Sequence, residues 1–362
     1  MMRDGAPEGQ ARRRAFLPAR VMPGAECEQS PPWAQRANGD FCDLEHGNPR
    51  GVPSVGFRPG LAPQAAVGGT LRRSMAAVTP EQIARYRRDG FLVIEGLLGE
   101  DELARYGAAV DAAVARRTAG DSRSLAEKTP YEQSFLQCMN LWEDAPDVRP
   151  LSFHPRIGEV AAALVGTSCL RLWHDQALYK EPGGRATDAH NDQPYWPMVE
   201  TDTITAWIPF DGSTLESGAM GYLPGSHRFE GVRRFANIFA GRGFDLSDPA
   251  ISGGVEPVFC EVPRGGVAFH HGLTIHLAGP NRTDRMRRVH TMILFADGAR
   301  RSTPGHPHFA VDRAGIRPGD PIRSDVTPVM WPRPDGRPPE PPPLPPPVHP
   351  AMPGWRPPSS RA

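Results

Sequence analysis

The chain has 362 residues, enough for one large domain or two of ordinary size. Its 41 basic and 41 acidic residues cancel, so no overall positive field attracts nucleic acid or a membrane. The five cysteines form no C-x-x-C pair and no apolar run reaches the roughly 20 residues of a membrane helix, so we expect a reduced, cytoplasmic protein.

The two ends of the chain differ in composition from its middle. Residues 1–74 are rich in Gly, Pro, Ala and Arg and show no sustained period of 2 or 3.6, so they cannot bury enough apolar surface to offset their ordering entropy. We expect this segment to be disordered or a mis-annotated extension of the true start. From residue 326 onward, the segment around PPEPPPLPPPVHP predicts an extended, disordered proline-rich tail. The folded domain is therefore predicted over 75–325.

Helical signals come first in the predicted domain. Thr79 is predicted as an N-cap, Gln82 completes a capping box, and Gly90 ends the first helix. A strand, FLVIEGLL, follows directly. Two further helices are predicted, over 100–117 and 155–165.

From residue 170 the pattern changes to short apolar runs broken by glycine and proline. Six runs are predicted as β-strands: LRLWHDQALYKEP, DTITAWIPF, GAMGYLPGSH, PVFCEV, GVAFHHGLTIHL and RVHTMILFA. Short strands that follow helices are typical of a sandwich or barrel with helices packed outside it. We predict an α+β fold that is mainly β with flanking helices, built on a jelly-roll core.

The stretch AHNDQPYWP, residues 189–197, contains a candidate metal-binding pair. Residues i and i+2 of an extended strand face the same side about 6.5–7 Å apart, so His190 and Asp192 can converge on one ion. The triplet His190-Asn191-Asp192 also fits a polar surface turn. His276 ends a later predicted strand, where a jelly-roll can bring it beside the pair. Two histidines and one carboxylate on one face of an octahedron suit non-haem Fe(II) oxygenases, and zinc is the competing metal.

Several motifs together resemble the phytanoyl-CoA dioxygenase family. They are TPEQIARYRRDGFLVIEGLL, QALYKEPGG, the H-N-D triplet with its overlapping DQPYW, LESGAMGYLPGSH and HLAGPNRT. The resemblance covers roughly residues 77–325. It implies a double-stranded β-helix and a dioxygenase that uses Fe(II), with 2-oxoglutarate and O2 as cosubstrates.

The resemblance also implies roles for individual residues. His190, Asp192 and His276 would be the iron ligands and hence the catalytic residues. Arg287 would pair with the distal carboxylate of 2-oxoglutarate, because a guanidinium meets a carboxylate with two parallel hydrogen bonds. Trp207 and Gln176 match the cosubstrate-lining positions of the family more loosely.

Alternatives remain open at three of these positions. His270 or His271 could replace His276 as the distal ligand, and Arg288 is the rival of Arg287, since neighbouring strand residues face opposite sides. The family often has a cosubstrate-binding Ser two residues after the distal His, where this chain has Ala278; Thr283 is a candidate substitute.

The reaction implied is hydroxylation of an unactivated C–H bond of a small molecule, with release of succinate and CO2. The presence of Asp192 favours hydroxylation over halogenation, because related halogenases replace this carboxylate by a small residue. A cupin-type metal-dependent hydrolase or isomerase, or a catalytically silent jelly-roll binding protein, is the alternative. Basic clusters suited to a CoA pyrophosphate are confined to Arg233–Arg234 and Arg285–Arg288, so we expect a free small-molecule substrate, no nucleic acid and no membrane partner. The oligomeric state stays open.

Overall fold

Residues 78–303 and 307–342 are described by the computed structural model. The segment 1–74, predicted as an extension, and the end of the proline-rich tail, 343–362, lie outside the described residues. No helix in the described part of the chain is both long and apolar enough to cross a lipid bilayer.

The three predicted helices are confirmed, and shorter ones join them. Thr79 Oγ1 accepts a hydrogen bond from the Gln82 backbone at 3.2 Å, the Gln82 side chain accepts one from Thr79 at 2.8 Å, and Gly90 ends the helix with φ 83°. This capping satisfies backbone groups that a helix end would otherwise leave unpaired. In chain order the helices are α1 Pro80–Asp89, α2 Glu100–Thr118, α3 Pro130–Ser134, α4 Leu141–Asp144, α5 Arg149–Ser152, α6 Pro155–Val165, α7 Pro249–Ser252 and α8 Phe309–Asp312.

Two antiparallel sheets follow from the strand pairing. The strands are β1 Phe91–Ile94, β2 Leu136–Met139, β3 Leu170–Lys180, β4 Thr187–His190, β5 Thr203–Pro209, β6 Met220–Tyr222, β7 Val258–Cys260, β8 Val267–His271, β9 His276–Ala278, β10 Arg287–Ala296 and β11 Val329–Trp331. The larger sheet has the order β1-β8-β5-β10-β3-β11, and β2 also pairs with β3. The smaller sheet has the order β4-β9-β6-β7.

The two sheets pack face to face, with helices on the outer side of the larger one. Trp207 of β5 and Tyr222 of β6 belong to one buried cluster between the sheets. On the other face of the larger sheet, Phe269 of β8 shares a core with Val110 of α2 and Leu164 of α6. Alternating strand residues thus fill two different cores. The predicted jelly-roll with an outer helical layer is confirmed.

One predicted strand, GVAFHHGLTIHL, is in fact two strands in different sheets. β8 belongs to the larger sheet and β9 to the smaller, and the chain crosses between them at Gly272–Ile275. The Gly272 carbonyl accepts hydrogen bonds from the backbone N–H groups of Asp192 and Gln193, each at 2.9 Å. An apolar run that remains buried while it changes sheet looks like one continuous strand in the sequence, which explains the error.

The predicted tail differs from the structure at its beginning. Residues 329–331 form β11, which pairs with β3 through Val329 and Arg171, and Met330 is 1% exposed. Met330 also lies against α6, where a Cβ added at Gly158 would contact its sulfur at 2.7 Å. The apolar residues of VTPVMW bury enough surface to add an edge strand, so the predicted domain limit at residue 325 is too early.

A polar cluster is buried between β3, β10 and α5. Asp175 Oδ2 accepts hydrogen bonds from Ser152 Oγ at 2.6 Å and from the Trp142 backbone at 3.0 Å, and lies 3.6 Å from His290 Nε2. Asp175 and His290 are fully buried. Burial raises the pKa of Asp175 to about 7 and lowers the pKa of His290 to about 3. Near pH 6 both groups are therefore neutral in the folded protein.

Replacing Asp175→Asn should stabilise the protein increasingly as the pH rises. In wild type the folded carboxyl binds its proton more tightly than the unfolded one, so its contribution to stability falls as the pH rises through about 4 to 7. Asn keeps an acceptor for Ser152 and cannot ionise. We expect the difference in melting temperature between the variant and wild type to be at least about 5 °C larger at pH 8 than at pH 5, in favour of the variant. Parallel melting curves at the two pH values would contradict this assignment.

Candidate metal centre

Two strand residues and one residue of the turn that follows the first strand meet inside the jelly-roll. His190 ends β4, His276 begins β9, and the two residues are cross-strand partners. Asp192 follows β4 at the start of a short 3₁₀ turn. One potential ligand atom from each residue lies within 4.8 Å of the other two. The structure thus brings together the three predicted metal ligands.

The geometry of the H-x-D pair differs from the predicted one. β4 ends at His190, and Asp192 has helical backbone angles, φ −83° and ψ −39°. The two side chains converge because the chain turns after the strand, and not because both lie on one face of an extended strand. The turn is held by the hydrogen bonds from Asp192 and Gln193 to Gly272.

The two histidines are oriented for metal binding by their own backbone neighbours. Nδ1 of His190 lies 2.8 Å from the Asp188 carbonyl, and Nδ1 of His276 lies 2.9 Å from the Thr274 carbonyl, so each Nδ1 carries the proton. Both Nε2 atoms then face Asp192 Oδ1, at 3.6 and 3.7 Å. Donors on one octahedral face of a transition metal are roughly 3 Å apart for bond lengths of about 2.1 Å. The three side chains therefore fit a metal ion with small adjustments.

The protonation states of the cluster also fit a metal. Burial disfavours charged rings and lowers the pKa of His190 and of His276 to about 4. Burial opposes the charged form of Asp192 as well, but interactions with His276, His270 and His190 outweigh it, and the pKa of this carboxyl lies well below its usual range. At neutral pH the site presents two neutral imidazoles and one carboxylate, the forms that bind metal.

Arg287 and Arg288 lie on opposite faces of the larger sheet, as strand alternation predicts. Arg287 is 5% exposed, lies inside the jelly-roll, and its guanidinium carbon is 5.2 Å from the ring centre of Trp207. Arg288 lies on the helical side, where it pairs with Asp111 at 2.5 Å and with Asp211 at 2.7 Å. Only Arg287 of the two faces the same interior as the metal cluster.

Arg287 shares its surroundings with a second buried basic side chain, which was not predicted from the sequence. Lys180, its cross-strand partner, is 0% exposed and donates to the Arg185 carbonyl at 2.5 Å and to Thr187 Oγ1 at 3.3 Å. Arg287 donates to the Gly218 carbonyl at 2.7 Å, and its Nε has no partner in the described residues. Burial lowers the pKa of Lys180 to about 6, with a further contribution from Arg287. Near neutral pH Arg287 therefore carries the charge in this interior, and the acceptor named for it is a neutral carbonyl, so the surroundings of Arg287 favour an anion.

The remaining cosubstrate positions also lie in the interior. Gln176 of β3 is the cross-strand partner of Thr291 on β10, and its Oε1 accepts a hydrogen bond from the Gln137 side chain at 2.5 Å. Ala278, where the family often has Ser, is the cross-strand partner of Thr187, whose hydroxyl therefore lies beside it. The alternative hydroxyl, Thr283, donates to Asn281 Oδ1 at 2.7 Å within its own turn.

The two alternative ligands on β8 point in different directions. The His271 Nδ1 accepts a hydrogen bond from the Leu273 backbone at 3.0 Å, and its ring packs against that of His227 in a tilted arrangement, with ring centres 5.2 Å apart. The His270 ring lies beside that of His276, with centres 4.6 Å apart, and its Nε2 is 3.5 Å from Asp192. His270 is thus a neighbour of the metal cluster, whereas His271 packs away from it.

Comparisons with known proteins agree with this site and fold. The family model described as "Phytanoyl-CoA dioxygenase (PhyH)" matches residues 86–289. The phytanoyl-CoA dioxygenase domain-containing protein 1 of Mus musculus is 25% identical over 280 residues, covering 64% of this chain and 95% of the relative.

Two solved structures of nogalamycin biosynthesis enzymes are also similar. The non-haem alpha ketoglutarate dependent carbocyclase SnoK has 28% identity and a TM-score of 0.60, covering 72% of this chain and 99% of SnoK. The epimerase SnoN, solved with Fe3+, alpha ketoglutarate and nogalamycin RO, has 26% identity and a TM-score of 0.53, covering 69% of this chain and 97% of SnoN.

A jelly-roll that encloses a His-Asp-His cluster defines an iron- and 2-oxoglutarate-dependent oxygenase. The chain belongs to the phytanoyl-CoA dioxygenase family. Its cofactors are therefore Fe(II) and 2-oxoglutarate, with O2 as the second cosubstrate. This outcome favours the oxygenase over the cupin-type hydrolase and the silent binding protein.

Proposed function

We propose that this oxygenase hydroxylates an unactivated C–H bond of a free small molecule and releases succinate and CO2. The observation that carries the proposal is the complete cluster of His190, Asp192 and His276, which we assign as the metal ligands and catalytic residues. When bound there, iron supplies the oxidising chemistry that couples 2-oxoglutarate decarboxylation to substrate oxidation. Asp192 holds a coordination position that a halogenase would leave to halide, which supports hydroxylation.

The protein side of the reaction is to bind, orient and exclude water. The backbone carbonyls of Asp188 and Thr274 fix the ring orientation of the two histidines, which keeps both Nε2 atoms directed at one point. His190 and His276 are 7% and 5% exposed, so little bulk water reaches them. A dry site strengthens each electrostatic contact made within it.

For the cosubstrate, we assign Arg287 to the distal carboxylate of 2-oxoglutarate. Arg287 is buried and donates to the neutral Gly218 carbonyl, so a carboxylate would supply the opposite charge, and it would also favour the protonated form of Lys180 beside it. Thr187, beside Ala278, is placed to supply the hydroxyl that the usual Ser would provide. The flat ring of Trp207 supports the Arg287 guanidinium by a cation–π contact, and Gln176 lines the same interior.

The proposed substrate class follows from the charges around the site. Arg288 is occupied by Asp111 and Asp211. It lines a surface cavity of about 710 Å³ together with Asp211, Asp284 and Arg285, and Arg285 lies 3.9 Å from Asp284, so the cavity carries charges of both signs. Arg233 donates to the Val199 carbonyl at 2.8 Å. These contacts leave little free positive charge for a CoA pyrophosphate, which supports a free small molecule.

The test is an assay of the purified full chain with Fe(II), ascorbate, 2-oxoglutarate and a panel of small metabolites and CoA thioesters. Hydroxylation predicts succinate in step with a product that is one oxygen atom heavier than the substrate, with that oxygen derived from labelled O2. An isomer of unchanged mass would indicate epimerisation, and loss of two hydrogen atoms would indicate ring closure; either would replace the proposed reaction. Turnover confined to thioesters would overturn the substrate class.

A further inference from the structure

His270 is a buried histidine that the proposed reaction does not yet use. It lies on the inner face of β8 and is 2% exposed. Neither ring nitrogen has a hydrogen-bond partner among the described residues. Its Nε2 lies 3.5 Å from Asp192 Oδ2, so a shift of about half an ångström would close a hydrogen bond. Buried polar groups without partners are rare in folded proteins, so this one calls for an explanation.

The two oxygens of Asp192 face different neighbours. Oδ1 faces Nε2 of His190 and of His276, at 3.6 and 3.7 Å. Oδ2 faces His270 Nε2 and Thr205 Oγ1, each at 3.5 Å. His270 and Thr205 are cross-strand partners on β8 and β5, so both donors come from the rigid larger sheet. The carboxylate therefore lies between the histidine pair on one side and two donors on the other.

We propose that His270 is a positioning residue of the metal centre, which rests on the assignment of Asp192 as a ligand in the proposed function. The His270 Nε2–H, with the Thr205 hydroxyl, holds Asp192 Oδ2 so that Oδ1 alone is presented to the metal. An octahedral ion held by three protein atoms keeps three positions for the cosubstrates. A second carboxylate oxygen on the metal would occupy one of them, so holding Oδ2 keeps the site competent.

A ligand role for His270 fits the geometry less well. The described atoms that lie within 4.8 Å of one another come from His190, Asp192 and His276, and His270 is not among them. Its Nε2 faces Asp192 Oδ2 at 3.5 Å, whereas the Nε2 atoms of His190 and His276 face the other oxygen, Oδ1. The ring packs beside those of His276 and Tyr222, with centres 4.6 and 5.5 Å apart.

The experiment titrates the metal-free full chain with Co(II) and follows both affinity and the visible absorption of the ion, before and after 2-oxoglutarate is added. His270→Phe keeps the ring volume and removes the donor, and we expect roughly 10–100-fold weaker Co(II) binding and an altered spectrum. His270→Gln places an amide N–H near the position of Nε2–H, and we expect affinity and spectrum within about threefold of wild type. Circular dichroism and melting temperature report the fold of each variant.

Thr205→Val is the independent arm, because it removes the second donor to Oδ2 at nearly constant shape. We expect Thr205→Val to bind Co(II) more weakly than wild type. In the double variant with His270→Phe, the fold-loss of Co(II) affinity should differ from the product of the two single losses, because both donors act on one oxygen. Unchanged Co(II) affinity in His270→Phe would overturn the proposal, as would equal impairment of the Phe and Gln variants. Loss of a nitrogen ligand signature in His270→Phe would make His270 a ligand instead. If wild type itself bound no Co(II), the assignment of His190, Asp192 and His276 as metal ligands would be overturned together with this proposal.

Discussion

Asp192→Ala is expected to lower succinate release to below about one-hundredth of the wild-type rate. Loss of groups that only orient metal ligands already costs about 10–100-fold, and this change removes a ligand together with its negative charge. Bound iron should fall to a small fraction of one equivalent, with circular dichroism unchanged. His190→Ala and His276→Ala should behave in the same way, since each removes one donor of the same cluster.

Asp188→Asn is the matched control for Asp192→Ala. Asp188 lies on β4, just before Asp192, but its carboxylate pairs with Arg185 at 2.8 Å near the surface, a kind of ion pair worth roughly 0–1 kcal/mol. Its backbone carbonyl, which orients His190, is unaffected by the change. Iron content and turnover should remain within about twofold of wild type. Near wild-type turnover in Asp192→Ala would return the H-x-D stretch to a polar turn, and loss of iron in His271→Ala but not in His276→Ala would move the distal ligand.

Arg287→Met should separate cosubstrate binding from metal binding. Losing a charge-assisted hydrogen bond costs roughly 1.5–3 kcal/mol, so we expect the KM for 2-oxoglutarate to rise at least about tenfold while iron content hardly changes. The variant also removes a buried cation whose hydrogen-bond partner among the described residues is a neutral carbonyl. Without cosubstrate its melting temperature should therefore equal or exceed that of wild type, and added 2-oxoglutarate should no longer raise it.

Arg288→Met tests the opposite face of the same strand. This change breaks the ion pairs with Asp111 and Asp211 on the helical side, so it should lower the melting temperature slightly and leave the KM for 2-oxoglutarate within about twofold. A large rise in KM for Arg288→Met, with none for Arg287→Met, would place the cosubstrate on the wrong side of the sheet for the proposed site. Both measurements need only purified protein, steady-state succinate release and thermal melting.

Local chemistry explains why much of this fold could be predicted from the sequence. The capping box at Thr79 and Gln82 involves residues three apart, and the helix over 155–165 begins at a proline and is followed by a glycine. The contrast between Arg287 and Arg288 follows from the two-residue period of a strand. In each case the determining contacts are close in sequence, so the residues themselves carry the information.

The ligand set was predicted from the sequence for a different reason. H-x-D alone did not separate a metal pair from a turn, and the resemblance to a family supplied the choice of His276 and Arg287. The reason first offered for the pairing of His190 and Asp192, a shared strand face, was wrong, because the chain leaves the strand between them. The structure brings these three residues together, as expected, although the local conformation of the H-x-D stretch differs from the predicted one, and their role as ligands stays a prediction.

Only the tertiary structure decided where GVAFHHGLTIHL changes sheet, and that His270 and His276 lie beside Asp192 while His271 packs away from it. The crossing at Gly272 depends on hydrogen bonds from a segment 80 residues earlier in the chain, which no local pattern encodes. Likewise, the sequence shows Lys180 as an ordinary charged residue, and only the packing of β3 against β10 reveals that it is buried beside Arg287. Burial and the pairing of charges depend on contacts between distant residues, and these exist only once the two sheets have closed on each other.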